Sequence, residues 1–256
     1  MDIQILGAHN IESKDTRHAS LLIDGVLAVD AGALTSSLDL AAQRRLIAVL
    51  LTHQHYDHIR DIPALGMNLL LMESSVAIYT TQAVRDVLVE DMLNDSLYPN
   101  FMARPPERPT LRFRLIEPYK TEQIGEYSVL AVPVSHAVDT VGYQITSKDG
   151  RTLFYTSDTG PGLAEAWRQV SPELLIAELT APDRYEEFAR RSRHLTPGLL
   201  RRELADFRSL KGYLPEVVLI HMNPLDEKAI EAEVAAVAGE LNASIRLGYE
   251  GMRINL

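Results

Sequence analysis

The amino-acid sequence predicts a mixed α/β fold, layered with its helices outside. Short strand-like apolar runs alternate with helix-like segments in both halves of the chain. Leu46–Leu51 is apolar without a break, the pattern of a strand covered on both faces. No repeat, low-complexity tract or linker interrupts the pattern, which predicts one domain over residues 1–256.

In order, Ile3–Leu6, Ser20–Ile23 and Val26–Val29 read as strands, the last two joined across the tight turn Asp24-Gly25. Ser36 or Ser37 is placed to cap a helix running to about Arg45, before the buried strand Leu46–Leu51. Val76–Thr80 is a strand, and Gln82–Met92 a helix with Val84, Val87 and Leu88 on one face. Residues 94–109 hold four prolines and no periodicity, so they form a loop. Loops this long tend to be functional or disordered, and a substrate lid is one reading, with Tyr98 and Phe101 stacking on a base and Arg104 meeting phosphate. Leu111–Ile116 and Tyr127–Val134 are strands. Val141–Thr146 and Arg151–Thr156 form a hairpin across Lys148-Asp149-Gly150, and Leu174–Glu178 and Val217–Ile220 are short apolar strands. Thr196-Pro197 opens a helix, Thr as cap and Pro in the first turn. Asp226–Leu241 is a long helix, and Ile254 lies in a closing strand.

Composition narrows the function. A net charge of −10 opposes broad phosphate-backbone binding, so extended nucleic acid is not the expected partner. The arginines at Arg190-Arg191 with Arg193, and at Arg201-Arg202, read as a solvated helix face. No run is long enough to span a membrane, and the first residues look like a strand rather than a signal peptide, which places the expected location in the cytoplasm. The absence of cysteine excludes disulfides, thiolate nucleophiles and thiolate-ligated zinc. Any metal site must use imidazole and carboxylate.

Such a set is present. His53-x-His55-x-Asp57-His58 directly follows the strand ending near Thr52, and strand ends are where ligands collect in layered α/β folds. Three imidazoles and a carboxylate within six residues can surround metal ions without long-range closure. His136, Asp158 and His221 each lie just past another strand. A lone histidine there is usually a satisfied polar group; three such placements beside a cluster argue for convergence. His9 and His18 follow no such pattern and read as structural; Arg17 is a weak candidate for substrate contact.

In order, His53–His58, His136, Asp158 and His221 resemble the ligand motifs of the metallo-β-lactamase superfamily. The resemblance covers nearly the whole chain, including Val29-Asp30-Ala31-Gly32 and the closing Gly251-Met252-Arg253-Ile254. It implies a four-layer αββα sandwich with the site at one edge. It implies that His53, His55 and His136 hold one divalent metal, that Asp57, His58 and His221 hold a second, and that Asp158 bridges them. Asp30 would orient the ligand loop. Zinc is the first expectation, with manganese or iron compatible with the same ligands. Dimers are common in the family, so a homodimer is part of what the resemblance implies.

Glu178-Leu-Thr, then His194-Leu-Thr, then the His221 strand look like the branch containing tRNA 3′-processing endonucleases, related phosphodiesterases and class II cyclic-nucleotide phosphodiesterases. There a Glu and an extra His pair beside the metals. The implied reaction is phosphodiester hydrolysis by a water activated between two metals. Asp57 would accept the water's proton, and His194, oriented by Glu178, would donate to a phosphoryl or leaving oxygen. The expected substrate is a small phosphodiester such as a cyclic nucleotide, because no protruding tRNA-gripping arm is evident. Lactonases and thioester hydrolases use the same metal ligands without the Glu–His pair, and remain the alternative. Oxygen or electron chemistry at iron is a third class; no flavin-binding domain accompanies this one.

Overall fold

The computed structural model describes residues 1–256. Two seven-stranded sheets stand face to face. The first is built from β1 (Asp2–Gly7), β2 (Ser20–Ile23), β3 (Leu27–Val29), β4 (Ala48–Leu50), β5 (Val76–Thr80), β6 (Leu111–Leu115) and β14 (Arg253–Asn255), in the order β14-β1-β2-β3-β4-β5-β6. The second is built from β7 (Thr121–Ile124), β8 (Tyr127–Pro133), β9 (Val141–Thr146), β10 (Thr152–Tyr155), β11 (Leu174–Glu178), β12 (Glu216–Ile220) and β13 (Ile245–Leu247), in the order β13-β12-β11-β10-β9-β8-β7. Helices α1 (Leu34–Ser37), α2 (Leu40–Arg45), α3 (Tyr56–Ile59), α4 (Ile62–Leu71) and α5 (Gln82–Val87) accompany the first sheet. Helices α6 (Ala164–Gln169), α7 (Glu186–Ser192), α8 (Pro197–Lys211) and α9 (Glu227–Leu241) accompany the second.

The two-residue period of the strands sorts their side chains between layers. Ile3, Ile5, Leu21, Ile23, Val129, Tyr143, Ile176 and Val218 fill the space between the sheets. The alternate residues Leu22, Val49 and Ile78 face outward against Ile62, Leu65 and Leu69 of α4. On the other side Phe154, Leu175, Val217 and Leu219 meet Trp167 of α6, Leu200 and Phe207 of α8 and Ile230 of α9. The predicted αββα layering is the observed one, and it explains the unbroken apolar strands: each central strand has a core on both faces. No helix is long and apolar enough to cross a membrane.

Several boundaries differ from expectation. The helix expected from Ser36 or Ser37 to Arg45 is two short ones, because Leu38 turns extended and Asp39 recaps the chain by accepting from the Ala42 N–H at 2.7 Å. The Gln82–Met92 segment is α-helical only to Val87 and continues as a π turn over Leu88–Met92. Strands β7 and β13, both at sheet edges, and helices α4 and α6 carry no expectation from the sequence. The Thr196-Pro197 start holds, with the Thr196 hydroxyl accepting from the Leu199 N–H.

The reading of residues 94–109 as a substrate lid does not hold. Strands β4, β5 and β6 are parallel, and the loop feeds the N-terminal end of β6, whereas His53 follows the C-terminal end of β4. Phe101 is fully buried against the outer face of the first sheet and Tyr98 packs on the same core, so neither is free to stack on a ligand. Arg104 pairs with Asp95 at 3.0 Å. The loop is an anchor at the opposite end of the sheet.

Candidate metal centre

Strand direction brings the seven candidate ligands together. β10, β11 and β12 are parallel, and β8 runs in the same direction as β10 through two antiparallel pairings. Their C-terminal ends therefore share one edge, where Asp158 follows β10, His221 follows β12 and His136 follows β8. The first sheet delivers His53, His55, Asp57 and His58 to the same edge from the end of β4 and from α3. His221 and Ser157 take left-handed backbone conformations, φ 66° and 57°, which turn the chain sharply where each strand meets the site.

Two donor groups result. One is His53, His55, His136 and Asp158; the other is Asp57, His58, His221 and Asp158; within each, the ligand atoms lie within 4.8 Å of one another. His55 Nδ1 is 3.1 Å from both His53 Nε2 and His136 Nε2. His221 Nε2 is 3.3 Å from Asp57 Oδ2 and 3.4 Å from Asp158 Oδ2. Donors about 2.0–2.2 Å from a tetrahedral zinc stand roughly 3.3–3.6 Å apart, so these spacings match the edges of coordination shells. Two buried atoms, His58 Nε2 and Asp158 Oδ1, face each other at 3.3 Å and neither makes a hydrogen bond. Orphaned buried polar atoms are costly, and a cation between them would satisfy both. The residues fit divalent metals.

The far sides of the His58 and His136 rings are tied down. His58 Nδ1 donates to Asp30 at 2.7 Å, and Asp30 also accepts from the Thr52 N–H and hydroxyl and from the Tyr155 hydroxyl. His136 Nδ1 donates to the Arg193 carbonyl at 3.1 Å. These bonds fix the tautomer and leave Nε2 of each ring facing the site. Asp30 thus has the orienting position expected for it.

Electrostatics divides the site. Burial, with neighbouring rings, pushes His53 well below the ordinary imidazole range, and burial lowers His55 and takes His136 down to about 4. These three are neutral lone-pair donors near neutral pH. Burial would also lower His58, but Asp158, Asp30 and Asp57 outweigh it and hold its pKa well above 6.5. Burial opposes ionisation of Asp57, yet His58 and His221 hold it well below the carboxylate range. That charge state suits a ligand and hydrogen-bond acceptor, and makes Asp57 a poor store for a proton.

Beside the ligands lies the second predicted group. His194 Nδ1 donates to Glu178 Oε1 at 3.0 Å. Glu178 is buried and also accepts from the Leu195 N–H at 3.0 Å, which resolves the expected cost of a carboxylate inside an apolar strand. Burial has the largest single effect and lowers the His194 pKa, but Glu178, with Asp158 and Asp57, more than offsets it and raises the value to about 9. Thr180, which closes the Glu178-Leu-Thr motif but has no role assigned from the sequence, joins the groups. Its hydroxyl donates to Glu178 Oε2 at 3.0 Å and accepts from His221 Nδ1 at 2.9 Å. The Glu-x-Thr spacing on one strand edge is the signal that would have found it.

Of the remaining candidates, His9 pairs with Glu250 at 2.7 Å and is structural. Arg17 lines a depression with Ser36, Ser37 and Gly251, with no side chain of the metal centre among its lining. Arg190, Arg202 and Arg201 form the expected solvated ion pairs, with Glu186 and Glu240. Arg193 departs from that reading: it leaves α7 in the left-handed conformation, and its guanidinium donates to the His136 carbonyl at 2.6 Å.

The Beta-lactamase superfamily domain family model matches residues 20–232. No curated protein matches the chain. Among solved structures, unliganded yeast PDE1 superposes with a TM-score of 0.86 at 17% identity, covering 100% of this chain and 99% of that one. The metallo-beta-lactamase fold protein YhfI from Bacillus subtilis gives 0.78 at 18%, covering 99% of each. The short form of human tRNase Z gives 0.71 at 20%, covering 100% and 99%. At such identities the likeness shows the fold alone.

Proposed function

The chain belongs to the metallo-β-lactamase superfamily, and from that premise we propose that it is a two-metal hydrolase of a small phosphodiester, such as a cyclic nucleotide. The single observation that carries the phosphodiester reading is the half-buried His194 paired with the buried Glu178 beside the two donor groups. Hydrolysis of a phosphodiester expels a poorly stabilised alkoxide and leaves anionic phosphoryl oxygens. A histidine held protonated by a buried carboxylate answers both needs.

In this reading His53, His55 and His136 hold one divalent cation, Asp57, His58 and His221 a second, and Asp158 faces both. When bound, such cations neutralise charge on phosphoryl oxygens and make a water nucleophilic near neutral pH. Asp57 accepts a hydrogen bond from the attacking water and aims it at phosphorus. The water oxygen forms the new bond to phosphorus and sheds one proton to solvent while one ester P–O bond breaks. His194, with Nδ1 committed to Glu178, presents Nε2–H and gives that proton to the departing oxygen. Thr180 and Asp30 keep His221 and His58 turned so that Nε2 faces the site.

A net charge of −10 and the compact cleft beside His136, about 590 Å³, support a small substrate over a polynucleotide. The test is an assay of the protein, with its metal content measured, on bis(p-nitrophenyl) phosphate, cyclic nucleotides, lactones and thioesters. Turnover of phosphodiesters above the carbonyl esters is expected. Preference for a lactone over every phosphodiester would overturn the reading.

A further inference from the structure

The cleft beside the metal centre shares His136 with it and is walled by the ends of β5, β6 and β8. Ile116, Pro118, Val134 and Val138 give it an apolar lining, with no Phe, Tyr or Trp among the lining residues. Arg193 is its only arginine or lysine. The backbone of Arg193 is left-handed, φ 57°, a conformation a side chain other than glycine rarely adopts. Mutual bonds with His136 hold it there: its carbonyl accepts from His136 Nδ1, and its guanidinium donates to the His136 carbonyl. That exchange places the guanidinium at the metal end of the cleft. It uses one of the five N–H donors, and no carboxylate lies within ion-pair distance of Arg193.

Two charges of the opposite sign line the same cleft. Asp139 and Glu117 line the same cleft and are both exposed. Glu117 shares a surface lysine, Lys120, at 3.6 Å; Asp139 forms no ion pair. The cleft therefore holds one cation, bonded to His136 of the metal centre, and two further exposed charges of opposite sign. A guanidinium matches the paired oxygens of a phosphoryl group in geometry and charge. A second phosphate on a substrate lying in the cleft would meet these carboxylates, and like charges facing each other are a device for rejecting the wrong ligand.

We infer that the cleft selects phosphodiesters bearing a single phosphoryl group, read by Arg193, and that Asp139 and Glu117 turn away substituents carrying a further phosphate. The other substituent is neutral or cationic and lies along the aliphatic wall. This inference rests on the phosphodiester reading and narrows its substrate class.

The test measures binding to the full-length, metal-loaded protein by calorimetry, with thymidine 5′-phosphate and thymidine 3′,5′-bisphosphate as probes. The wild type should bind the bisphosphate at least tenfold more weakly. In the double variant Glu117→Gln, Asp139→Asn that gap should shrink to about threefold or less. Arg193→Gln should weaken the monophosphate about tenfold with metal content unchanged, and Arg193→Lys should restore part of the loss. Equal binding of the two probes by the wild type, an undiminished gap in the double variant, or unchanged monophosphate binding in Arg193→Gln would each overturn the inference. So would an Arg193→Gln loss explained entirely by lost metal. Failure of the phosphodiester reading shows separately, as no turnover of thymidine 5′-(p-nitrophenyl phosphate) by protein whose binding preferences are intact.

Discussion

His194 keeps its proton because the Glu178 carboxylate, buried and fixed by backbone N–H groups, together with Asp158 and Asp57 outweighs the large cost of burying the imidazolium. The sign of the effect on rate follows. A raised pKa means that the proton donor is present below the folded-state value and lost as pH rises through it, so the alkaline limb of kcat should lie above 6.5 and toward about 9. Glu178→Gln removes the charge that raises it and should move that limb to lower pH. His194→Ala should retain metal, abolish the limb and lower kcat about 100-fold or more, the scale of a lost general acid. A pH–rate profile on metal-loaded variants checks all three; full activity in His194→Ala would remove it from the mechanism. At this scale the cluster that the structure brings together was legible in the sequence, because histidine and aspartate in a tight local motif have few other reasons to gather. Thr180 and Arg193 were not. A hydroxyl or a guanidinium acquires its role from what the fold sets opposite it, and spacing alone does not record that.

Strand β6 is entered by the proline-rich loop, and the loop is held by Phe101 beneath α4. Gly66 of α4 permits the contact: a Cβ there would stand 2.4 Å from the Phe101 ring. Phe101→Ala should cost about 3–5 kcal/mol, the range for emptying a buried aromatic site. Urea unfolding should show a lower midpoint at constant slope, while KM stays unchanged because the loop is at the far end of the sheet. A raised KM with unaltered stability would return the loop to the substrate. The elements hidden from the sequence have physical reasons for being so. The edge strand Thr121–Ile124 is mostly polar because only one of its four residues is buried. Helix α4 is apolar almost throughout, so it lacks the contrast between faces that marks a helix, and its N-cap side chain makes no capping bond. Central strands were legible because two cores demand apolar residues on both faces.

At the scale of the molecule, the metal centre is also a joint. His53, His55, Asp57 and His58 belong to the first sheet, and His136, Asp158 and His221 to the second. Cations held by both would oppose separation of the sheets, and binding to the folded state alone stabilises it by about 4 kcal/mol at a thousandfold excess over Kd. Chelation should therefore lower the melting temperature. Asp158→Ala should lose most bound metal and melt at the same temperature with or without chelator. Equal metal content in that variant, by elemental analysis, would remove Asp158 from the centre. The layered architecture was legible because its alternation of apolar strands and helices leaves few alternatives. The polarity of the cleft was not, since Glu117, Asp139 and Arg193 come from three separate loops and carry no common pattern.

The hydroxyl of Thr180 has one hydrogen, and it goes to Glu178. His221 and His194 must both present Nδ1–H toward that corner, so a metal-facing ring and a proton-donating ring are wired to one carboxylate. Thermodynamic linkage makes the wiring reciprocal: whatever free energy cation binding at His221 takes from the proton affinity of His194, protonation of His194 takes equally from the affinity for the cation. Metal occupancy should then carry a pH dependence set by a residue that touches no metal. A Thr180→Val variant, its hub removed, should titrate its acid and bind its cation more nearly as strangers.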